Sequence, residues 1–581
     1  MKENRQDGPK SNVSKLLYKG NVTSRGSVAQ RTVAVMGAAG ALLTALPGTA
    51  LALNLYNGTN YGNNLEINLQ TTISYTPIFR VGAVSKILTS PSNLNGSEGD
   101  LDFQHGLVSN QFEILPILDI KDGNYGAHFS GEAYLNTVFL GPNQNDQPST
   151  VNAYTIGKST DFTSATRNVD GENARFLDAF VYGTKNFGAD GAQTITVKIG
   201  RQTLLWGQSI FLGNNGIAAG MAPIDIITAN NNPNAQTQQI VLPVGQAVVT
   251  YQPNSVVTLQ AYYQFEWEHD SLQGVGSYFN DADVLDAGGE RVLLSAADPA
   301  LHIPAVGLYR TKDLSPEKNN GQFGASVQLS LGNYDLGFYG LRYDSKGPES
   351  YANITGVPSP APGGLSLGTY RLVYPRDIWL EGVGLSTTVG PVNVAGETSF
   401  RQHMNLVNET GVPVGPTANA NSNPGYPVGD TWAGQVSAVW LSPGFLLDPG
   451  GLTALGEIGF NHVLKVTANK TAITQLPHRS STAAQFQFLV EPNYYDVLPQ
   501  LELSFPVGLA YTFYGRSEID GTENNGTGSV NVGVTATYKA TWIASVTYND
   551  YIGAPNPLLT VGGEPSLADR NYVLLNFQHT F

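Results

Sequence analysis

The sequence predicts an all-β fold: a transmembrane antiparallel β-barrel of about 16–18 strands, with short periplasmic turns and long outer loops. Three observations predict it. An export signal precedes a chain in which no other stretch is apolar enough for a membrane helix. Segments of about ten residues alternate apolar and polar side chains. The connections between those segments are short and long in turn along the whole chain.

Residues 1–52 read as a secretory signal peptide and 53–581 as the barrel. A basic region runs to Arg31, an apolar stretch follows over 32–46, and Pro47 breaks it. Ala50 and Ala52 then suit a small-residue cleavage site. An anchoring helix is the weaker reading, because the apolar run falls short of the ~20 residues that span a bilayer. Cleavage strips seven Lys/Arg and two Asp/Glu and takes the formal charge from −15 to −20. So acidic a chain argues against a nucleic-acid partner, which calls for a basic patch. No cysteine is present, so disulfide scaffolds and thiol chemistry are excluded. Only 13% of residues are charged, about half the usual share in soluble domains.

Successive side chains of a strand point to opposite faces, and the clearest case is 256–268. Val257, Leu259, Ala261, Tyr263, Phe265 and Trp267 fall on one face; Thr258, Gln260, Tyr262, Gln264, Glu266 and Glu268 fall on the other. Such a length fits a tilted membrane strand better than a sandwich strand. Over 108–120, Phe112, Ile114 and Leu118 oppose Gln111, Glu113 and Asp119. Over 125–135, Ala127, Phe129 and Ala133 oppose His128, Ser130 and Glu132. Ile195, Val197 and Ile199 oppose Thr196 and Lys198. Val392, Val394 and Phe400 oppose Asn393, Glu397 and Arg401, and Leu452, Ala454, Ile458 and Phe460 oppose Glu457 and Asn461. The last segment sets Val573, Leu575, Phe577 and Phe581 on one face.

Short turns are expected at 122–124, 189–191, 252–255, 332–334, 390–391, 442–451, 496–499 and 538–541. Long polar connections lie between them, at 81–106, 141–172, 206–242, 270–319, 346–376, 403–429, 465–483, 516–527 and 553–567. A soluble sandwich has no reason to keep that asymmetry; a membrane barrel does. Eighteen strands from Leu65 to Phe581 would put both termini on the periplasmic side. Weak alternation at 484–495 and around Trp432 leaves sixteen open.

The stretches GDLDFQHGLVSNQFEILPILDI (99–120), RFLDAFVYG (175–183), GRQTLLWGQSIF with GIAAGMAPID (200–225), AYYQFEWE (261–268) and GSYFNDAD (276–283) carry a family resemblance. It continues in VYPRDI (373–378), AGETSFR (395–401), LGEIGFNHV (455–463), EPNYYDVLPQLELSFPVGL (491–509) and LADRNYVLLNFQHTF (567–581). Together they resemble a Gram-negative outer-membrane family catalogued as a domain of unknown function (DUF1302), over the whole exported chain. The resemblance implies a porin-like channel or transporter for hydrophobic or aromatic compounds, alongside a lipoprotein-like partner and an inner-membrane exporter. The terminal Phe581 resembles the signal read by the barrel-assembly machinery, from which His579 departs.

Catalytic chemistry finds little support. Gly364–Leu365–Ser366–Leu367–Gly368 has the Gly-x-Ser-x-Gly spacing, but it follows Pro358, Pro360 and Pro362 in an expected flexible loop with no helix behind it. His128, Ser130 and Glu132 share one strand face, and a solvated pore surface is the better reading, because triads join separate elements. Asp281, Asp283, Asp286 and Glu290 offer oxygens for calcium, yet miss the EF-hand spacing; a solvated acidic loop is expected. No catalytic residue, metal or cofactor is assigned.

The inward charges expected are Glu113, Asp119, Glu132, Asp178, Lys198, Arg201, Glu266, Glu268, Arg342, Glu397, Arg401 and Glu457. Water in a pore tolerates them, and rings of charge can set selectivity; Glu397 and Arg401 are also placed to pair across the wall. The most unusual stretch is 200–225, a Gly-rich loop full of large apolar side chains. Folded back into the lumen, Trp206, Ile210, Phe211, Ile217, Met221 and Ile224 would line a narrow apolar route, with Gly207, Gly213, Gly216 and Gly220 allowing tight turns. A cap packed among neighbouring loops is the alternative. The expectation is a passive bacterial outer-membrane channel, set in lipid, for small hydrophobic or amphipathic solutes. A general polar-solute porin, an outer-membrane lipid hydrolase and a surface adhesin or scaffold are the rivals.

Overall fold

The computed structural model describes residues 53–581 apart from 59–62, 92, 286, 299, 320, 408–411, 414–417, 445–449, 475–478 and 557–565. The signal peptide expected over 1–52 lies outside the described residues, as does Asp286.

Among the described residues, eighteen strands from Leu65–Arg80 to Tyr572–Thr580 form one closed antiparallel barrel. Each pairs with the next in chain order, and the last closes on the first through Thr72↔Thr580 and Arg80↔Tyr572. Both weakly alternating segments are strands, Val428–Ser442 and Thr482–Leu498. The fifteenth strand is split into Leu501–Ser504 and Val507–Tyr514, because Pro506 has no N–H to give the ladder. A short strand, Leu53–Asn57, takes up the edge of the first barrel strand where Phe581 leaves it: Leu53 faces Leu69, and the Phe581 N–H donates to Thr71 O at 3.0 Å.

All eight expected short turns lie at one end of the barrel, and the nine long connections lie at the other. The turn between Val389 and Val392 shows how tight they are: Gly390 takes φ +59°, a conformation that suits two-residue hairpins. The outward face is apolar between two aromatic zones. Val383, Leu385, Val436, Ile458 and Val532 are exposed along its middle. Tyr334, Trp440 and Trp542 stand exposed near the turns, and Tyr263, Trp379 and Trp432 near the long loops. A band of this kind flanked by aromatic girdles matches a lipid-facing barrel wall. His579 belongs to the girdle, stacked on Trp542 with ring centroids 3.9 Å apart.

The long loops carry structure that alternation alone did not reveal. The strand expected over 256–268 ends at Gln264. Beyond it the chain turns inward, and Trp267 is buried against Tyr374 rather than facing lipid. The expected loop at 346–376 is a hairpin, Glu349–Ala361 with Gly364–Val373, inside a second, five-stranded sheet. Leu308, Tyr370, Leu372, Val292 and Trp267 form its core. Burying that apolar surface outweighs keeping the loops solvated.

Candidate solute constriction

The chain between Gln202 and Val244 folds into the barrel and crosses it twice. The first span, 204–221, reaches the wall opposite its origin. There the strand Val392–Asn405 points Glu397, Ser399 and Arg401 inward, and Gly450–Ala468 points Glu457 and Asn461 inward. Glu457 accepts the backbone N–H groups of Ile210, Phe211 and Leu212, the last two at 2.6 and 2.7 Å. Glu397 accepts those of Gln208 and Ile217, the second at 3.0 Å. Arg401 donates to the carbonyls of Asn214 and Gly216 at 3.2 and 2.7 Å. Glu397 and Arg401 therefore do not pair with each other, as the sequence suggested; each holds the main chain of the loop.

Side chains of the same span sink into the wall. Trp206 donates to Gln260 Oε1 at 2.6 Å and packs on Tyr262 and Tyr339. Ile217 and Met221 join that cluster with Val248, Leu341 and Leu380, while Phe211 and Leu212 pack on Leu455 and Leu489. Three inward glycines make the room. A Cβ on Gly382 would lie 2.7 Å from Ile217, one on Gly459 2.8 Å from Leu212, and one on Gly324 2.9 Å from Trp206. Gly207 is required twice over: it takes φ +99°, and a Cβ there would strike the Glu397 carboxylate.

The second span, 225–242, returns along the near wall. Asp225 caps the helix Ile226–Asn231 by accepting from the Thr228 N–H at 2.9 Å, and it pairs with Arg175. Gln239 donates to Glu113 at 2.6 Å and Glu132 at 3.0 Å, Asn232 donates to Glu113 at 3.1 Å, and Asn234 donates to Asn576 at 2.7 Å. Arg175 completes the network with Glu132 at 2.5 Å.

The expected apolar route needs correcting. Trp206, Phe211, Ile217 and Met221 are at most 5% exposed, so they anchor the loop and cannot line a passage; Ile210 and Ile224 are half-buried. Apolar side chains that reach a wall of matching glycines gain more by burial than by facing water. The inward charges need correcting too. Arg201 shares the outward face with Ile199, at the loop end, and binds Glu266 at 2.8 Å and Glu268 at 3.1 Å. Arg342 shares the outward face with Phe338 and pairs with Asp377. Glu113, Glu132, Asp178, Glu397, Arg401 and Glu457 do point inward but are buried rather than solvated. Asp119 and Lys198 keep contact with water: Asp119 accepts from the His128 Nδ1–H at 2.6 Å, and Lys198 lies over Phe180.

The remaining motifs do not assemble into chemistry. Ser366 lies on a strand and donates to Gly368 O at 2.8 Å, which corrects the flexible-loop expectation. His128 bonds Asp119, Glu132 pairs with Arg175, and Ser130 donates to Asp178, whose same carboxylate oxygen lies 3.9 Å from the far side of the His128 ring. Asp281 and Asp283 are buried rather than solvated; Asp283 accepts from Ser97 and Glu98 N–H groups, while Glu290 accepts from Tyr154 and Thr155.

On the loop side of the crossing chain lies a recess open to solvent. Ala222 and Ile224 of the loop, Ile378 and Met404 of the wall, and Lys346 and Glu349 of the outer loops line it. Burial pushes the Lys346 ammonium down to about 8. Sequence reasoning missed this recess, the glycine cradle and the role of Gln239. Alternation does put Gly382 and Gly384 on the inward face beside Leu380, and that was the one available signal.

No curated protein matches the chain. Among solved structures, the outer membrane channel DcaP of Acinetobacter baumannii aligns over 89% of this chain and 97% of its own, at 10% identity and TM-score 0.36. OccAB4 of Acinetobacter baumannii covers 89% and 98%, at 8% and 0.41. OpdK of Pseudomonas aeruginosa, solved with vanillate, covers 88% and 98%, at 11% and 0.36. At such identities and scores none of them transfers a function. The family model described as "Protein of unknown function (DUF1302)" matches residues 33–581, and the chain belongs to that family.

Proposed function

We propose that the protein is a bacterial outer-membrane channel that passes small amphipathic solutes by diffusion, without chemistry, cofactor or energy input. One observation carries this reading: a closed eighteen-strand barrel is crossed by its own loop 203–243, clamped to the wall opposite its origin. Barrels of about this size enclose a water-filled lumen unless chain fills it, and an inward loop converts a wide lumen into a narrow one. The exposed apolar band supports insertion in lipid, and Phe581, exposed at the barrel seam, supports delivery by the barrel-assembly machinery. A purely hydrophobic route has lost its main support, since the large apolar side chains of the loop are spent on the wall. The recess mixes Ile378 and Met404 with Lys346 and Glu349, which favours solutes having both polar and apolar parts.

A general polar-solute porin is the second reading, favoured by the amides and hydroxyls on the inward faces of the last strands. Planar-bilayer conductance of the purified protein tests the channel class. Discrete channel events, blocked by an amphipathic solute and not by a sugar of equal size, are expected. Silence in the bilayer would end the channel reading, and block by both solutes would favour the general porin.

A further inference from the structure

The clamps on the inward loop hold it with acids whose charge nothing cancels. Glu457 accepts the N–H groups of Ile210, Phe211 and Leu212, and Glu397 those of Gln208 and Ile217 with the Gln435 amide at 3.0 Å. Glu113 accepts from the amides of Gln239, Asn232 and Gln111. All of these donors are neutral. The carboxylate oxygens only accept, as those of an ionised group do, and a neutral donor solvates the charge without removing it. Glu132 and Asp225 share the single guanidinium of Arg175, while Arg401 donates to carbonyls. The two clamps thus set five buried carboxylates, Glu113, Glu132, Asp225, Glu397 and Glu457, against two guanidinium groups.

The solvated inward charges lean the same way. Asp119, its side chain 57% exposed, shares a strand face with Glu113. Asp335 shares one with Tyr339, and Glu502 lies in register with inward-facing Thr537. Both are exposed and stand close to the short turns. On the strand beside Glu502, buried Glu491 accepts from Ser504. Against these acids stands Lys198, exposed, with its ammonium 5.3 Å from the Phe180 ring centre. At the rim Lys121 and Glu66 face each other across the ladder and offset one another. Walls of low dielectric focus the field of such charges on the lumen, and an acidic excess there favours an entering cation and opposes an anion.

We propose that the carboxylates that clamp the loop also make the constriction cation-selective, so that among amphipathic solutes amines pass and carboxylates are held back. The proposal rests on the channel reading and adds the sign of the solute's charge to it. Zero-current potentials of the purified protein in planar bilayers test it, under gradients of potassium chloride, phenethylammonium chloride and sodium phenylacetate in turn. Potassium is expected to permeate several-fold faster than chloride, and phenethylammonium several-fold faster than phenylacetate. Glu397→Gln with Glu457→Gln is expected to remove most of that preference. Gly382→Val disturbs the same span without changing a charge and is expected to keep it. Asp119→Asn with Glu502→Gln, at the solvated mouth, should lower it only in part. If the clamp pair fails to insert, Lys198→Gln takes away an exposed cation and is expected to raise the preference. No conductance under any gradient would sink the channel reading itself. Conductance with equal permeabilities or an anion preference would overturn the proposal and leave the channel standing, as would a preference that the clamp pair or Lys198→Gln leaves unchanged.

Discussion

The two spans of the inward loop are held by opposite means. Over 204–221 the wall grips the main chain: Glu457 and Glu397 take backbone N–H groups, and Arg401 takes carbonyls. Over 225–242 the wall grips side chains, Gln239, Asn232 and Asn234. A main-chain clamp does not depend on which side chain the loop carries at Gln208 or Ile210, but it fails if the wall carboxylate is lost. A side-chain clamp fails from either side. The first span is thus specified largely by strands 180 or more residues away in sequence from the loop they hold.

The harshest way to break that contrast is Glu457→Ala. It removes the acceptor of three buried N–H groups, and each orphaned group costs about 1–3 kcal/mol before water can enter. The first span is expected to leave the wall. Hydrogen exchange at 208–217 should accelerate by about two orders of magnitude, while exchange at 226–240 stays near wild type, and conductance should rise. Glu457→Gln retains one oxygen acceptor and should fall between. Unchanged exchange in the alanine variant would mean that the apolar cluster alone holds the span. Next in size is Gly382→Val. Its added methyls collide with Ile217, and overpacking of this sort costs about 1–3 kcal/mol, read as a lower melting temperature and faster exchange around Ile217.

Gln239→Ala should act less and elsewhere. It strips hydrogen bonds from two buried carboxylates, Glu113 and Glu132, at about 1.5–3 kcal/mol for a bond to a charged group. Arg175–Asp225 and Asn234–Asn576 remain, so the second span should loosen without detaching. Exchange should quicken at 226–240 and not at 208–217. Combined with Glu457→Ala the effects should add, since the two clamps share no residue; strong non-additivity would mean that the spans move as one body.

The barrel was legible because its two signals, period-two alternation and the rhythm of turn lengths, are local in sequence. Even the faces of Glu397, Arg401 and Glu457 followed from parity. What failed is non-local. Parity gives a strand face only while the strand lasts, so Trp267, three residues past Gln264, falls by parity on the face of Val257 and Leu259 although it sits in the outer-loop core. Arg201 and Arg342 were read as inward because charge on a lipid face is costly; both lie at the rim, paired with acids, where that cost is small. The apolar side chains of 204–221 were rightly singled out as needing cover. Which surface covers them depends on Gly324, Gly382 and Gly459, and nothing near the loop in sequence reveals those.

The smallest expected effect concerns whether the outer loops share in the clamp. Asp283 is fully buried in the long connection after Gln264, beside Glu98, with Asp281, Asp102, Glu290, Arg291 and Arg570 facing the same pocket. Burial raises its carboxyl to about 7, against the opposing pull of the Glu98 and Ser97 N–H groups and of Arg570. Burial and the nearby Asp283 hold Glu98 well above its usual range as well. A carboxyl raised in the folded state favours that state fully below its unfolded value, and the benefit disappears as pH climbs through the folded one. From about pH 4 up to about pH 7, therefore, exchange at 95–102 and 275–285 should rise beyond its intrinsic pH dependence, and level off above. Asp283→Asn keeps an oxygen for the Ser97 and Glu98 donors and should flatten that rise. That substitution should leave the amides at 208–217 as they are in the wild type at every pH, because their acceptors, Glu397 and Glu457, belong to the wall and not to the loops. A flattened pH response at 208–217 in Asp283→Asn would show that the first span is held from above as well as from the side, and the main-chain clamp would then be only part of what fixes the constriction.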